Sequence, residues 1–145
     1  MLILRDFSPD DIGPIDKLVM EGLHERYDPT LYFNIHAYWP KGFIVAEAVN
    51  HIVGFISGIR SGPQQARILM LAVDEKKRRK GIGTKLLKAF IKRCIIEGFK
   101  SITLEVRTSN EAAIRFYEQF GFNIINKLPA FYTDGEDGLQ MWKKL

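Results

Sequence analysis

From Ala66 to Phe99 the chain reads as one continuous unit. "ARILMLAV" (Ala66–Val73) is a nearly all-apolar run of strand length, and "KKRRKGIG" (Lys76–Gly83) sets five consecutive cations against two glycines. "TKLLKAFIKRCIIEGF" (Thr84–Phe99) then carries apolar residues at helical spacing. A strand apolar on both faces belongs inside a sheet, covered on both sides. An amphipathic helix must lay its apolar stripe on such a sheet. Strand, glycine loop and helix in this order therefore require helix-on-sheet packing and exclude an all-helical or all-strand fold. The spacing predicts Leu87, Phe90, Ile91, Cys94 and Ile95 as the inward face, with Gly98 ending the helix.

The flanking segments extend the pattern. "LILRDF" (Leu2–Phe7) alternates as a strand does. "SPDDIGPIDKLVMEGL" predicts a helix with Ser8 as N-cap, Pro9 at its first position, and a buried stripe of Ile12, Ile15, Val19 and Leu23. His24 to Gly42 is aromatic and irregular, with room for a short second helix. "FIVAEAV" and "IVGFISGIR" flank Asn50-His51 as a hairpin. "SITLEVR" predicts a strand, and "NEAAIRFYEQFGF" a helix capped by Asn110 and stopped by Gly121. "FNIINKL" and "LQMWKKL" predict two closing strands joined by "PAFYTDGEDG". The result is an α/β (α+β) chain with a mixed, mainly antiparallel seven-stranded sheet and about four helices. No repeat or linker interrupts it, so residues 1–145 are expected to form one domain.

Composition narrows the function classes. The 145 residues are 46% hydrophobic and 26% charged, as in globular domains. The net charge of +4 suits an anionic ligand or surface. A single cysteine, Cys94, excludes an intrachain disulfide and fits a reducing compartment. Its place on the apolar helix face makes it a core residue. His24, His36 and His51 lack metal-ligand spacing, so no metal is expected. "GFIVAEAVNHIVGFISGI" is broken by Glu47, Asn50 and His51 and does not read as a membrane span. With no signal-peptide pattern at the start, a cytoplasmic protein is expected.

The basic glycine loop carries the first chemical signal. Glycines let backbone approach an anion, and the first turn of the following helix offers unbonded N–H groups and a positive dipole end. Arg78, Arg79 and Lys80 add charge suited to a diphosphate. The segment lacks the G-x-x-x-x-G-K-[S/T] phosphate loop. It also lacks the dinucleotide G-x-G-x-x-G, whose third glycine position holds Leu86.

Arg78-x-x-Gly81-x-Gly83 resembles the acetyl-CoA signature R/Q-x-x-G-x-G/A of the GNAT superfamily of N-acetyltransferases. "LEVRTSNEAAIRFYEQFGF" (Leu104–Phe122) resembles the L-E-V-R-x-x-N-x-x-A-x-x-x-Y-x-x-x-G-F block of RimI-type protein N-terminal acetyltransferases. "YTDGEDGLQM" (Tyr132–Met141) is similar to the Y-Y-x-D-G-E-D-A-x-x-M ending of the archaeal and eukaryotic catalytic subunits, and "LHERY" (Leu23–Tyr27) to their L-P-E-N-Y substrate loop. The departures are Phe131 for the first tyrosine, Gly138 for alanine, and His24 and Arg26 for proline and asparagine. All fall on the peptide side.

The resemblance implies an acetyl-CoA-dependent transfer to the α-amine of protein N-termini, ribosomal or other cytosolic proteins, by direct attack of the amine on the thioester. It implies that Leu71, Ala72 and Val73 hold the pantetheine and thioester through backbone groups. Arg78, Arg79, Lys80, Gly81, Ile82, Gly83 and Thr84 would hold the pyrophosphate, and Asn110 the cofactor arm. Tyr117, two helical turns beyond Asn110, can face the same cleft. It would touch the cofactor and act as general acid, since a phenol near pKa 10 can protonate a thiolate whose acid lies near 8.5. Glu25 and Glu105 are both candidate bases. Neutralising an α-ammonium at pH 7 costs only about 1.4 kcal/mol, against roughly 4.6 kcal/mol for a lysine, so a weak base working through water suffices for an N-terminus. Leu23, Glu25, Tyr27 and Tyr132 would line the pocket for the first residue. Structural roles compete with each of these: packing for Tyr117, a solvated loop acid for Glu25, and a partner of Arg107 or a backbone amide for Glu105. The alternative reaction is acetylation of a lysine ε-amine or a small amine. Expected partners are protein or peptide N-termini, without nucleic acid or membrane, and with the chain as monomer or weak homodimer.

Overall fold

The computed structural model describes residues 1–23 and 27–145. The sequence reading of His24, Glu25 and Arg26 lies outside the described residues. Strand β1 (Leu2–Asp6) is followed by helices α1 (Ile12–Leu23) and α2 (Pro29–Tyr38) and strands β2 (Phe43–Ala48), β3 (His51–Arg60) and β4 (Gln65–Val73). Then come α3 (Ile82–Ile96), β5 (Ser101–Arg107), α4 (Glu111–Gln119), β6 (Asn123–Leu128) and β7 (Gly138–Lys144). Among the described residues the seven strands form one sheet in the order β1-β2-β3-β4-β5-β7-β6. Every pairing is antiparallel except β4 with β5. The near-continuous apolar run was therefore a correct sign of a central strand.

Two apolar layers hold the sheet. On one face Ile15, Leu18 and Val19 of α1 and Tyr32 and Ile35 of α2 pack on Phe43, Val45, Phe55, Met70 and Ala72. On the other, Ile82, Leu86, Leu87, Phe90 and Cys94 of α3 and Tyr117 of α4 pack on Ile44, Ile56, Ile68, Ile102, Leu104 and Met141. Burial pushes the Cys94 thiol up to about 12, consistent with a core role.

Several boundaries differ from the sequence reading. Ser8 and Pro9 open a single 3-10 turn, Pro9–Asp11, and α1 begins only at Ile12. The cause is Asp11, whose carboxylate accepts the Ser8 N–H at 2.8 Å and both Arg5 terminal nitrogens at 2.9 Å, which closes the turn early. Leu18 belongs to the buried stripe, whereas Leu23 is 39% exposed at the end of the helix. The β2–β3 turn is centred on Val49-Asn50, one residue earlier than expected. Both have positive φ, 50° and 63°, as a tight hairpin requires. Helix α3 starts at Ile82 rather than Thr84. Ile95 is 58% exposed, not inward. It lies about 100° around the helix from Cys94, which carries it off the sheet.

Candidate active site

The parallel ladder between β4 and β5 is short: Gln65↔Ser101, Ala66↔Ile102 and Arg67↔Thr103. Beyond it β4 continues against β3 as far as Gly54↔Val73, and β5 against β7 as far as Arg107↔Gly138. The centre of the sheet is thus split into a fork. A bulge in β4 lies at the split, because Ser57 pairs with Met70 and Gly58 with Ile68, leaving Leu69 without a partner. Bulges bend the strand that carries them, and here the bend leads β4 away from β5.

Two cavities meet in the fork. One, of about 480 Å³, is walled by Leu71–Val73, the glycine loop and the start of α4. Of the residues read as cofactor-binding, Leu71, Ala72, Val73, Arg78, Arg79, Gly81, Ile82, Gly83, Thr84 and Asn110 line it. Lys80 does not, and Tyr117 lines the adjoining cavity instead. Gly81 is the N-cap of α3 at φ 79°, a left-handed conformation that favours glycine. The first helical bond runs from the Lys85 N–H to the Gly81 carbonyl at 3.0 Å, so the Gly83 and Thr84 N–H groups precede the helical ladder. A β-carbon on Gly83 would stand 3.8 Å from Phe116 and Val73, in ordinary contact. Its absence widens the wall without relieving a clash. Arg78 turns back and donates from Nε to the Val73 carbonyl at 3.2 Å, fastening the loop to the end of β4. These donors and cations fit a phosphorylated ligand.

The second cavity, of about 560 Å³, passes from α1 through the fork to α4. Leu23, Tyr27, Glu105, Arg107, Asn110, Tyr117 and Tyr132 line it. The spacing argument that Asn110 and Tyr117 face one cleft therefore agrees with their positions. Asn110 also caps α4, accepting the Ala113 N–H at 3.1 Å. Tyr117 is 7% exposed, with Phe116 and Phe122 edge-on to its ring at 5.2 and 5.5 Å. Burial raises its phenol above the usual value, so it stays protonated and able to donate.

Glu105 does not pair with Arg107, as one structural reading of it supposed. Its Oε1 accepts from Nε and Nη2 of Arg67 at 2.9 and 2.6 Å. Arg107 turns to the 129–138 loop, donating to Asp134 at 2.8 Å and Glu136 at 2.9 Å, with its guanidinium 4.2 Å from the Tyr132 ring centre. Glu136 also accepts the Ser109 N–H at 3.0 Å. The Ser109 bonds and then the Arg107 bond pull its carboxyl down to about 2. Gly138 is buried, and a β-carbon there would come within 3.2–3.3 Å of Phe131 and Tyr132. The two departures Phe131 and Gly138 are therefore neighbours, with the Phe131 side chain packed where a β-carbon at 138 would press.

Gly22, Met70, Ser109, Ala113 and Phe116 line these cavities without having been singled out in the sequence. Gly22, Met70, Ala113 and Phe116 fell within predicted helices or strands, and Ser109 between two of them, so nothing local set them apart. Among the described residues no cluster of acids, histidines and cysteine could hold a metal ion. No helix there is long and apolar enough to cross a membrane.

The acetyltransferase (GNAT) family model matches residues 10–122. The chain belongs to this family. This acetyltransferase is 37% identical to an N-alpha-acetyltransferase of Saccharolobus solfataricus, over 98% of its own length and 92% of the relative's. Its fold superposes on Ard1 from Thermoplasma volcanium with a TM-score of 0.96, 40% identity, and coverage of 99% and 97% of the two chains. Naa20 of Chaetomium thermophilum, solved with a bisubstrate analogue, gives a TM-score of 0.89 at 28% identity, covering 99% of this chain and 86% of that one.

Proposed function

We propose that this acetyltransferase moves the acetyl group of acetyl-CoA to the α-amino group of protein N-termini. The observation that carries the reading is the fork. It joins a cation- and N–H-lined cavity at the glycine loop to an aromatic, carboxylate-bearing cavity that runs from α1 through the split to α4. A thioester held in one cavity and an amine held in the other meet at the split, as direct attack requires. Acetyl-CoA supplies the activated acyl group. Arg78, Arg79 and the α3 N-terminus hold its phosphates, and the backbone of Leu71–Val73 aligns the arm. Tyr117 protonates the departing sulfur. Leu23, Tyr27 and Tyr132 receive the first residue of the peptide, while Glu105 or Glu25 draws the proton from the amine, directly or through water.

The similarity to an N-alpha-acetyltransferase of archaeal origin supports the α-amine over a lysine. Finer features of the reading are RimI-like chemistry, ribosomal or other cytosolic proteins as acceptors, and action as one 1–145 domain, monomeric or weakly dimeric, in the cytoplasm. Mass spectrometry on paired peptides with free and blocked N-termini tests it. Acetylation is expected only on the free α-amine; modification of lysine on blocked peptides would overturn it.

A further inference from the structure

Arg67 is the last residue of β4 in the ladder with β5, opposite Thr103. Glu105 stands two residues further along β5, so the guanidinium reaches forward across the opening. Both of its donating nitrogens go to one oxygen, Oε1. Among the described residues, Oε2 accepts no hydrogen bond. A clip serving only to hold two strands would gain most from the side-on geometry that engages both oxygens. The end-on geometry leaves one oxygen over. Glu105 lines the acceptor cavity and Arg67 does not, so the contact of Arg67 with that cavity runs through Glu105, while its charge is also felt at the Tyr132 phenol. Nearby polar groups are engaged elsewhere: Thr103 Oγ1 donates to the Met141 carbonyl and accepts from Gln140 Nε2, both at 3.1 Å.

We propose that Arg67 is a positioning residue: by holding Oε1 of Glu105 it fixes that carboxylate at the split of the sheet and presents Oε2 to the acceptor amine. This rests on the acceptor-side reading of the cavity. Oε2 then accepts an N–H of the entering ammonium and sets its approach to the fork. The arrangement explains why an arginine stands at the base of the fork, where a shorter side chain would not reach Glu105.

The test is a double-mutant cycle on the full chain, with a free-N-terminal peptide as acceptor. Arg67→Gln is expected to lower kcat/KM for the peptide by about tenfold to a hundredfold, the worth of hydrogen bonds to a charged group. Acetyl-CoA affinity by calorimetry should stay within about twofold, because Arg67 is not in that cavity. Arg67→Lys should recover part of the loss. In a Glu105→Gln background the Arg67→Gln change should matter by less than about twofold, since its effect runs through the carboxylate. Peptide affinity is the readout there if turnover is too slow. An equal loss in both backgrounds would overturn the proposal, as would no loss in the wild-type background. So would a loss that follows a lowered Tm and weakened acetyl-CoA binding. If the wild type acetylates a different amine, the functional reading fails, but the same cycle on that amine still decides the role of Arg67.

Discussion

Tyr117 shows how one side chain acquires its chemistry from its surroundings. The phenol lies between Phe116 and Phe122, and burial raises its pKa. The sign is favourable for an acid: the protonated form persists to higher pH than in a free tyrosine. Removing the hydroxyl by Tyr117→Phe should lower kcat about 10²- to 10⁴-fold, the usual worth of a positioned proton donor. Acetyl-CoA affinity measured by calorimetry should hardly change. Unchanged turnover would remove Tyr117 from the acid role. Gly138→Ala probes the proposed peptide pocket instead. Its methyl would press on Phe131 and Tyr132, and overpacking of this kind costs about 1–3 kcal/mol. The expected result is a raised KM for peptide at constant KM for acetyl-CoA. At this scale the sequence was legible where position follows local spacing. Asn110 caps a helix and Tyr117 follows two turns later, and both consequences are local. The partner of Glu105 was not legible, because it depends on the register between β4 and β5 across 38 residues.

At the scale of elements, glycines divide into two kinds. Gly81 has open space around it and a left-handed φ of 79°. Gly58 has ordinary φ, but a β-carbon there would stand 2.5 Å from Phe90 Cζ and 2.8 Å from the Arg67 carbonyl. Gly81→Ala should therefore cost about 1–2 kcal/mol of backbone strain and weaken acetyl-CoA binding. Gly58→Ala should cost about 1–3 kcal/mol or more by overpacking α3 against β3. Urea unfolding ranks the two, and titration calorimetry separates the cofactor effect. A Gly58→Ala chain as stable as the wild type would refute the close packing. The element order, the central strand and the amphipathic α3 were legible because periods of 2 and 3.6 are local properties. The fork was not. Its opening is set by where a parallel ladder ends and where Leu69 bulges, and both depend on partners far along the chain. The misreadings of Leu23 and Ile95 share that origin: periodicity gives a helix face, but the reach of the sheet beneath decides how much of it is covered.

Across the whole molecule, carboxylates tie the peripheral segments to the sheet. Burial opposes ionisation of Asp11, but the Arg5 guanidinium and the Ser8 N–H outweigh it and hold its pKa below the usual value. This pins the turn before α1 to β1. In the 129–138 loop the Glu136 N–H lowers Asp134, the Ser109 and Arg107 bonds bring Glu136 down to about 2, and the Ala130 N–H lowers Asp137. Each carboxyl is more acidic folded than unfolded, so each favours the folded state above its unfolded value, near 4 to 4.5. That contribution is lost as pH falls toward 2. The Asp134, Glu136 and Asp137 bonds lie on an exposed loop, where ion pairs add little to global stability. Acid should therefore release the 129–138 loop before it unfolds the sheet. The Tyr132 N–H bonded to the Glu136 carbonyl and the Gly135 N–H bonded to the Tyr132 carbonyl report on that loop. Hydrogen exchange at pH 6 and pH 2 should show these amides losing protection at pH 2 while amides of β3 and β4 keep theirs. Equal protection of the loop at both values would show that its carboxylates do not hold it. A simultaneous loss in loop and sheet would show that Arg107 and its acids are part of the core. Because Tyr132 packs on Arg107 in this loop, the first outcome also requires peptide KM to rise on the acid side before acetyl-CoA binding weakens.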